Sequence, residues 1–194
     1  DLDTVLGGGI LPAGVMLIAG QPGIGKSTLL MQISGFIAGQ KNVLYVSGEE
    51  SAEQVAMRAQ RLNSAGAPNL KFAASTSADD IASTIDGGDF DLVIIDSIQT
   101  LAMAEISSAA GSVSQITNSS NLIIQAAKKS GTAVILVGHI TKEGSIAGPK
   151  TLEHMVDVVL NFEGDRYGGF KVERKKKNRY GSTSEAAIFE MGEK

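Results

Sequence analysis

The feature that most constrains this chain is the octapeptide Gly20-Gln21-Pro22-Gly23-Ile24-Gly25-Lys26-Ser27. It lies between an apolar run, Val15 to Ala19, and a helix-patterned run, Thr28 to Ala38. It fits G-x-x-x-x-G-K-[ST] with the strand before it and the helix after it that the pattern requires. Each residue type has a chemical reason. The glycines let backbone N–H groups turn inward around phosphate oxygens, and the following helix points its positive end at them. Lys26 is placed to reach the β- and γ-phosphates of a nucleoside triphosphate, and the Ser27 hydroxyl to ligate Mg²⁺. Gly20 to Ser27, with Thr28 beside them, are therefore the candidate nucleotide contacts. The competing reading is a glycine-rich strand-to-helix turn with an incidental lysine, and the flanking patterns weigh against it.

Composition narrows the setting. The chain has 194 residues, of which 43% are apolar, enough for one α/β domain with a substantial core. It has no cysteine, which excludes disulfides, thiol catalysis and cysteine-ligated zinc. No apolar run approaches the ~20 residues of a membrane span, and no basic-then-apolar signal opens the chain. A soluble cytoplasmic protein without a membrane partner is the expectation. Asp1 stands where a methionine would begin a whole protein, so a piece of a longer chain is expected. The net charge of −4 argues against a general nucleic-acid coat. Its distribution is uneven, because Lys171, Arg174, Lys175, Lys176, Lys177 and Arg179 face a single acid, Glu173, within nine residues. A solvated face is the plain reading of such a run, yet this one sits on strand-like sequence ending in a turn.

Short apolar runs alternate with helix-patterned segments along most of the chain. Strands are expected at Val15 to Ala19, Val43 to Ser47, Leu70 to Ala74, Leu92 to Ile95 and Ala133 to Val137. Three more follow at Val158 to Phe162, Phe170 to Lys175 and Ala186 to Glu190. Helices are expected at Thr28 to Ala38, from Ser51 with its Gln54 capping box, at Ala78 to Ile85, after Gly111, and at Leu152 to Val156. The helix from Ser51 should bury Ala52, Val55, Ala56, Ala59 and Leu62, and the one after Gly111 should bury Val113, Ile116, Ser120, Ile123 and Ala127. Lys128 and Lys129 suit its last turn and Gly131 its cap. The order predicts an α/β fold with a mostly parallel central sheet, helices on both faces and an antiparallel C-terminal extension.

Open α/β sheets bind ligands at the carboxyl ends of their strands, which directs attention to the residues there. Asp96 closes the run 92–95 and reads as the carboxylate that holds Mg²⁺ with Ser27; a capping aspartate is the alternative. Glu49 and Glu50 follow the run 43–47, where a carboxylate can polarise the water that attacks a γ-phosphate. Acids favoured at a helix N-terminus are the plainer reading, and it fits Glu50 better than Glu49. His139 ends the run 133–137, where a group sensing the γ-phosphate would sit; a structural histidine is the alternative.

At these residues the chain resembles the bacterial RadA (Sms) family of RecA-like DNA-repair ATPases, over its whole length. The segments that carry the resemblance are Leu6 to Gly9, the octapeptide, Tyr45 to Gln54, Ile95 to Thr100, Ile146 to Lys150 and Leu152 to Asp157. The most specific is Lys177-Asn178-Arg179-Tyr180-Gly181, which is similar to the family's KNRFG motif. The resemblance implies a RecA-like P-loop domain over residues 1–194 that assembles as a hexameric ring with ATP between neighbours. It implies Glu49 as the hydrolytic glutamate and Lys177 and Arg179 acting in trans on the next subunit's γ-phosphate. It implies DNA-contacting loops at 103–111 and 140–150, where Lys142 and Lys150 are the available phosphate contacts. Single-stranded and branched DNA and the RecA recombinase are the implied partners, and branch migration in recombinational repair the implied activity.

The sequence departs from the family at Tyr180, which stands where the motif has phenylalanine. The family's N-terminal four-cysteine zinc module and C-terminal Lon-protease-like domain are expected to be missing from the segment 1–194. Two other function classes compete. A KaiC-like ATPase or kinase switch shares the Gly7–Gly9 entry but does not explain Lys177 to Gly181. A non-catalytic ATP-binding module is opposed by the intact set Lys26, Ser27, Glu49 and Asp96.

Overall fold

The computed structural model describes residues 14–21, 26–61, 69–140, 151–164, 169–176 and 183–190. Eight strands form one sheet: β1 (Val15–Gly20), β2 (Val43–Ser47), β3 (Leu70–Ala74), β4 (Leu92–Asp96), β5 (Ala133–His139), β6 (Val158–Gly164), β7 (Gly169–Lys176) and β8 (Thr183–Glu190). Their spatial order is β3-β2-β4-β5-β1-β6-β7-β8. The first six are parallel, and β7 and β8 extend the sheet antiparallel to β6. This is the expected architecture, including its antiparallel extension.

The physics of a sheet covered on both faces explains why the central strands are unbroken apolar runs. β1, β2 and β4 are buried at every position. Alternate residues point to opposite faces and build two cores. One core joins Val15, Leu17, Val46, Ile95 and Leu136 to helices α3 (Ala78–Asp86) and α4 (Val113–Ser130). The other joins Met16, Ile18, Tyr45, Ile94 and Val137 to helices α1 (Lys26–Ala38) and α2 (Ala52–Arg61).

Local signals set the helix ends. Ser51 and Gln54 form the reciprocal capping box, with Gln54 N–H donating to Ser51 Oγ and Ser51 N–H to Gln54 Oε1. Ser112 caps α4, and Gly131 ends it at φ 70°, a left-handed conformation that glycine adopts without steric cost. Two expectations are corrected. Val113 is half exposed rather than part of the buried face, because it is the first residue of α4 and lies at the rim of the core. At Leu152 to Val156 helical geometry ends at Leu152 and residues 153–157 are turns, although Leu152 and Val156 still plug the core. A helix there would carry Asp157 away from Val15, whose N–H donates to its Oδ2 and whose C=O accepts its N–H. Leu62 lies outside the described residues.

Candidate nucleotide site at the carboxyl edge of the sheet

Parallel register does most of the work of assembling this edge. β1 pairs with β5 so that Gly20 is opposite His139, and β2 pairs with β4 so that Ser47 is opposite Asp96. The ends of four strands, and α1 leaving β1, therefore deliver Gly20, Lys26, Ser27, Glu49, Asp96 and His139 to one rim. Gln21 and Thr28 flank this rim, while Pro22, Gly23, Ile24 and Gly25 lie outside the described residues, as do Lys142, Lys150, Lys177 and Arg179.

Lys26 is buried, with 3% of its surface exposed, and its amine meets three acceptors. It donates to Gly20 O at 2.6 Å, to Gly138 O at 3.3 Å and to His139 Nδ1 at 2.8 Å. Gly20 has to be glycine for this approach, since a Cβ there would fall 2.8 Å from Phe162 Cβ and 3.2 Å from Lys26 Cδ. Because Nδ1 accepts from the lysine, the histidine carries its proton on Nε2, which faces Asp96 Oδ1 at 3.7 Å. Burial and the positive charge of Lys26 hold the imidazole below its ordinary pKa, so it stays neutral beside the lysine.

Asp96 is buried among donors. Tyr45 donates its phenol proton to Asp96 Oδ2 at 2.8 Å, and Ser27 Oγ lies 3.5 Å from the same oxygen. Burial and the adjoining carboxylate push the Tyr45 pKa up, so the phenol remains a donor at any physiological pH. Ser27 and Asp96 present oxygen atoms only, the donor type a hard cation such as Mg²⁺ takes, usually with phosphate and water completing the shell.

The two adjacent glutamates are separated by their surroundings. Ser47 Oγ accepts both N–H groups, from Glu49 at 3.3 Å and from Glu50 at 3.0 Å, which fixes the turn. Glu50 then pairs with Arg58 of α2. Glu49 is exposed, and its charge is felt at Lys26 and His139, where it offsets a small part of the lowering that burial imposes on both. Gly48 sits flush against Thr100, where any Cβ would come within 2.0 Å of the hydroxyl oxygen.

Three side chains that brace residues of this edge were not evident in the sequence. Tyr45 reads as strand core, although it lies two residues before Ser47 and so shares the face of the strand partner Asp96. Arg58, the partner of Glu50, carries no signal in the sequence that sets it apart from other helix cations. Gln99 lies in the segment Ile95 to Thr100 with no role assigned to it from the sequence, yet its Nε2 donates to His139 O at 3.0 Å and its Oε1 accepts from His139 N–H at 3.3 Å.

Burial pushes the Lys26 pKa from 10.5 down to about 8, against the pull of Asp96 and Glu49. Below pH 8 both folded and unfolded chains hold the proton, and folding bears the full cost of burying the charge. Between pH 8 and 10.5 the folded chain releases its proton first, so that cost fades as pH rises. Lys26→Met has no such group. Its thermal stability relative to the parent chain should fall as pH is raised across this window, whatever constant offset the lost contacts add. A difference that stays flat from pH 8 to 10.5 would show that Lys26 titrates as an ordinary lysine.

Known proteins share both the sequence and the fold that build this edge. Residues 2–145 match a family described as the AAA domain. The chain is 50% identical over 192 residues to the DNA repair protein RadA of Listeria monocytogenes and 49% identical over 194 residues to that of Bacillus subtilis. These matches take in 98% and 100% of this chain, which spans 42% of the length of each relative. Among solved structures, a DnaB-like replicative helicase superposes with a TM-score of 0.77 at 14% identity, over 96% of this chain and 58% of that one. A structure of the RadB recombinase superposes with a TM-score of 0.67 at 20% identity, over 98% and 93%. The resemblance to RadA read from the sequence holds over the whole chain, and the structural neighbours share its RecA-like fold.

Proposed function

The chain belongs to the AAA domain family, and from that premise we propose that it is the ATP-hydrolysing core of a RadA-type motor in recombinational DNA repair. The observation that carries this reading is the meeting of Lys26, Ser27, Glu49, Asp96 and His139 at one sheet edge. In this proposal Gly20 to Thr28 bind the phosphates, Lys26 neutralises charge on the transferring phosphoryl group, and Glu49 orients and deprotonates the attacking water. Ser27 and Asp96 would hold Mg²⁺, which supplies positive charge to the phosphate oxygens. His139 stands where it would register the γ-phosphate through its contact with Lys26.

The rest of the proposal rests on likeness to RadA. Residues 1–194 form one ATPase domain that works in a homo-hexamer. Lys177 and Arg179 reach the neighbouring subunit's ATP, and loops 103–111 and 140–150 follow single-stranded or branched DNA during branch migration, in concert with RecA. The cytoplasm is the proposed location. No described helix is long and apolar enough to cross a membrane.

The test is ATP turnover with and without single-stranded DNA. Stimulation by DNA supports the motor. Turnover indifferent to DNA favours a KaiC-like switch, and binding without turnover favours a non-catalytic module. In the same assay, replacing Lys142 and Lys150 by alanine should weaken DNA binding regardless of base sequence. The salt slope should fall by about 0.7 per lost phosphate contact. An unchanged slope would move the DNA path elsewhere.

A further inference from the structure

The segment after Asp96 is held from two sides. Its 3₁₀ turn, Ile98–Thr100, is wedged between the Glu49 turn and the end of β5. On one side Thr100 fills the space that a side chain at Gly48 would occupy, while Gly48 N–H donates to Asp96 O at 2.9 Å. On the other side Gln99 grips the His139 backbone at both its N–H and its C=O.

From this turn the chain runs directly into the loop 101–111, which is itself an organised structure. The buried Gln115 of α4 accepts from Met103 N–H at 2.9 Å and donates to Ile106 O at 3.3 Å and Ser108 O at 2.9 Å. Ala104 N–H donates to Asp79, and Ala102 pairs with the segment before α3. The far end of the loop returns toward its start: a Cβ at Gly111, which sits at φ 89°, would lie 3.8 Å from the Gln99 carbonyl oxygen. Gln99 thus belongs to the turn from which the loop springs and holds β5 through its side chain.

The second half of the connection is the Lys26–His139 contact at 2.8 Å. A phosphate oxygen competes for the same ammonium with stronger, charge-assisted hydrogen bonds. Drawing Lys26 toward phosphate removes a donor from His139 and another from the carbonyl of Gly138. A side chain that clamps the His139 backbone at two points is where such a change passes to the next element.

We propose that Gln99 is a positioning residue that couples nucleotide occupancy at Lys26 to the arrangement of loop 101–111, through its two hydrogen bonds to the His139 backbone. The inference rests on the nucleotide-site reading above and adds a route from that site to a loop on the neighbouring strand end. Among the described residues, the Gln99 side-chain amide bonds only the His139 backbone, and neither the residues 20–28 nor the glutamate turn. Its loss should therefore separate binding from response.

The chain has no cysteine, so Glu105→Cys, at an exposed point of the loop, accepts a single environment-sensitive fluorophore. With the otherwise unchanged chain, addition of Mg·ADP or a slowly hydrolysed ATP analogue should change the emission. Adding Gln99→Ala should cut that change at least about fivefold while nucleotide affinity stays within about threefold, the pattern of lost coupling rather than lost binding. Gln99→Glu is the second variant, since it keeps the size and the acceptor for His139 N–H but turns the donor to His139 O into a repelling oxygen. It should fold, as checked by circular dichroism, and give an intermediate or absent response. Three results overturn the inference: a full response in both variants, no response in the unchanged chain despite nucleotide binding, or affinity falling in step with the response. Failure of the unchanged chain to bind nucleotide at all would instead sink the site reading, and this one with it.

Discussion

Glu49→Gln should bind Mg·ATP as the parent chain does and hydrolyse it about 10²–10⁴-fold more slowly, whereas Glu50→Gln should cost far less. The amide keeps the shape and hydrogen-bonding reach of the carboxylate but cannot take a proton from water. What distinguishes the neighbours is their surroundings. Both N–H groups are gathered by Ser47 Oγ, which fixes the backbone of the turn that carries them. Glu50 is tied to Arg58, a pairing that occupies its carboxylate and limits its freedom to move. Glu49 is unclaimed by any described cation at bonding distance, is exposed at the rim, and acts electrostatically on Lys26 and His139. Loss of the Glu50–Arg58 pair should register mainly in stability, by no more than about 1 kcal/mol for a partly exposed pair. The measurement is single-turnover hydrolysis with nucleotide affinity determined separately. If Glu50→Gln proves the crippling change and Glu49→Gln the mild one, the two roles are reversed.

That contrast was only half legible beforehand. Periodicity and strand-end position singled out Glu49, Asp96 and His139 because a parallel sheet buried on both faces writes its strands as unbroken apolar runs. The first polar residue after each run marks the carboxyl edge. The capping box at Ser51 and Gln54 and the stop at Gly131 were legible for the same reason: the interactions are local, within four residues. Tyr45, Arg58 and Gln99 were not. Each acts across a gap set by which strands are neighbours, and the order β2-β4-β5 cannot be read from spacing. Once Ser47 is known to lie opposite Asp96, alternation places the Tyr45 hydroxyl beneath that carboxylate. The failure at 152–156 has a similar origin. Its apolar spacing suits a helix, but the demand of Val15 for a partner at Asp157 pulls the segment into turns.

Lys26→Ala should abolish productive nucleotide binding and reduce hydrolysis by at least about 10²–10³-fold, the scale seen when one preorganised electrostatic partner of a developing charge is removed. The lysine occupies the point where β1, α1 and β5 converge, and its amine is delivered there by two main-chain carbonyls and an imidazole. Few side chains could replace it. Arginine carries the charge, but its planar fork needs width that Gly20 and Phe162, packed at contact distance, do not leave. Methionine fills the channel but brings no charge, so Lys26→Met should be as inactive as Lys26→Ala while packing better. Running the two together separates the causes. If charge at the phosphate is what matters, both variants lose hydrolysis equally and both retain the circular dichroism of the parent. If the role of Lys26 is to fill space between β1 and β5, methionine should restore most of the activity that alanine loses. Hydrolysis within a fewfold of the parent chain in either variant would remove the octapeptide from the mechanism.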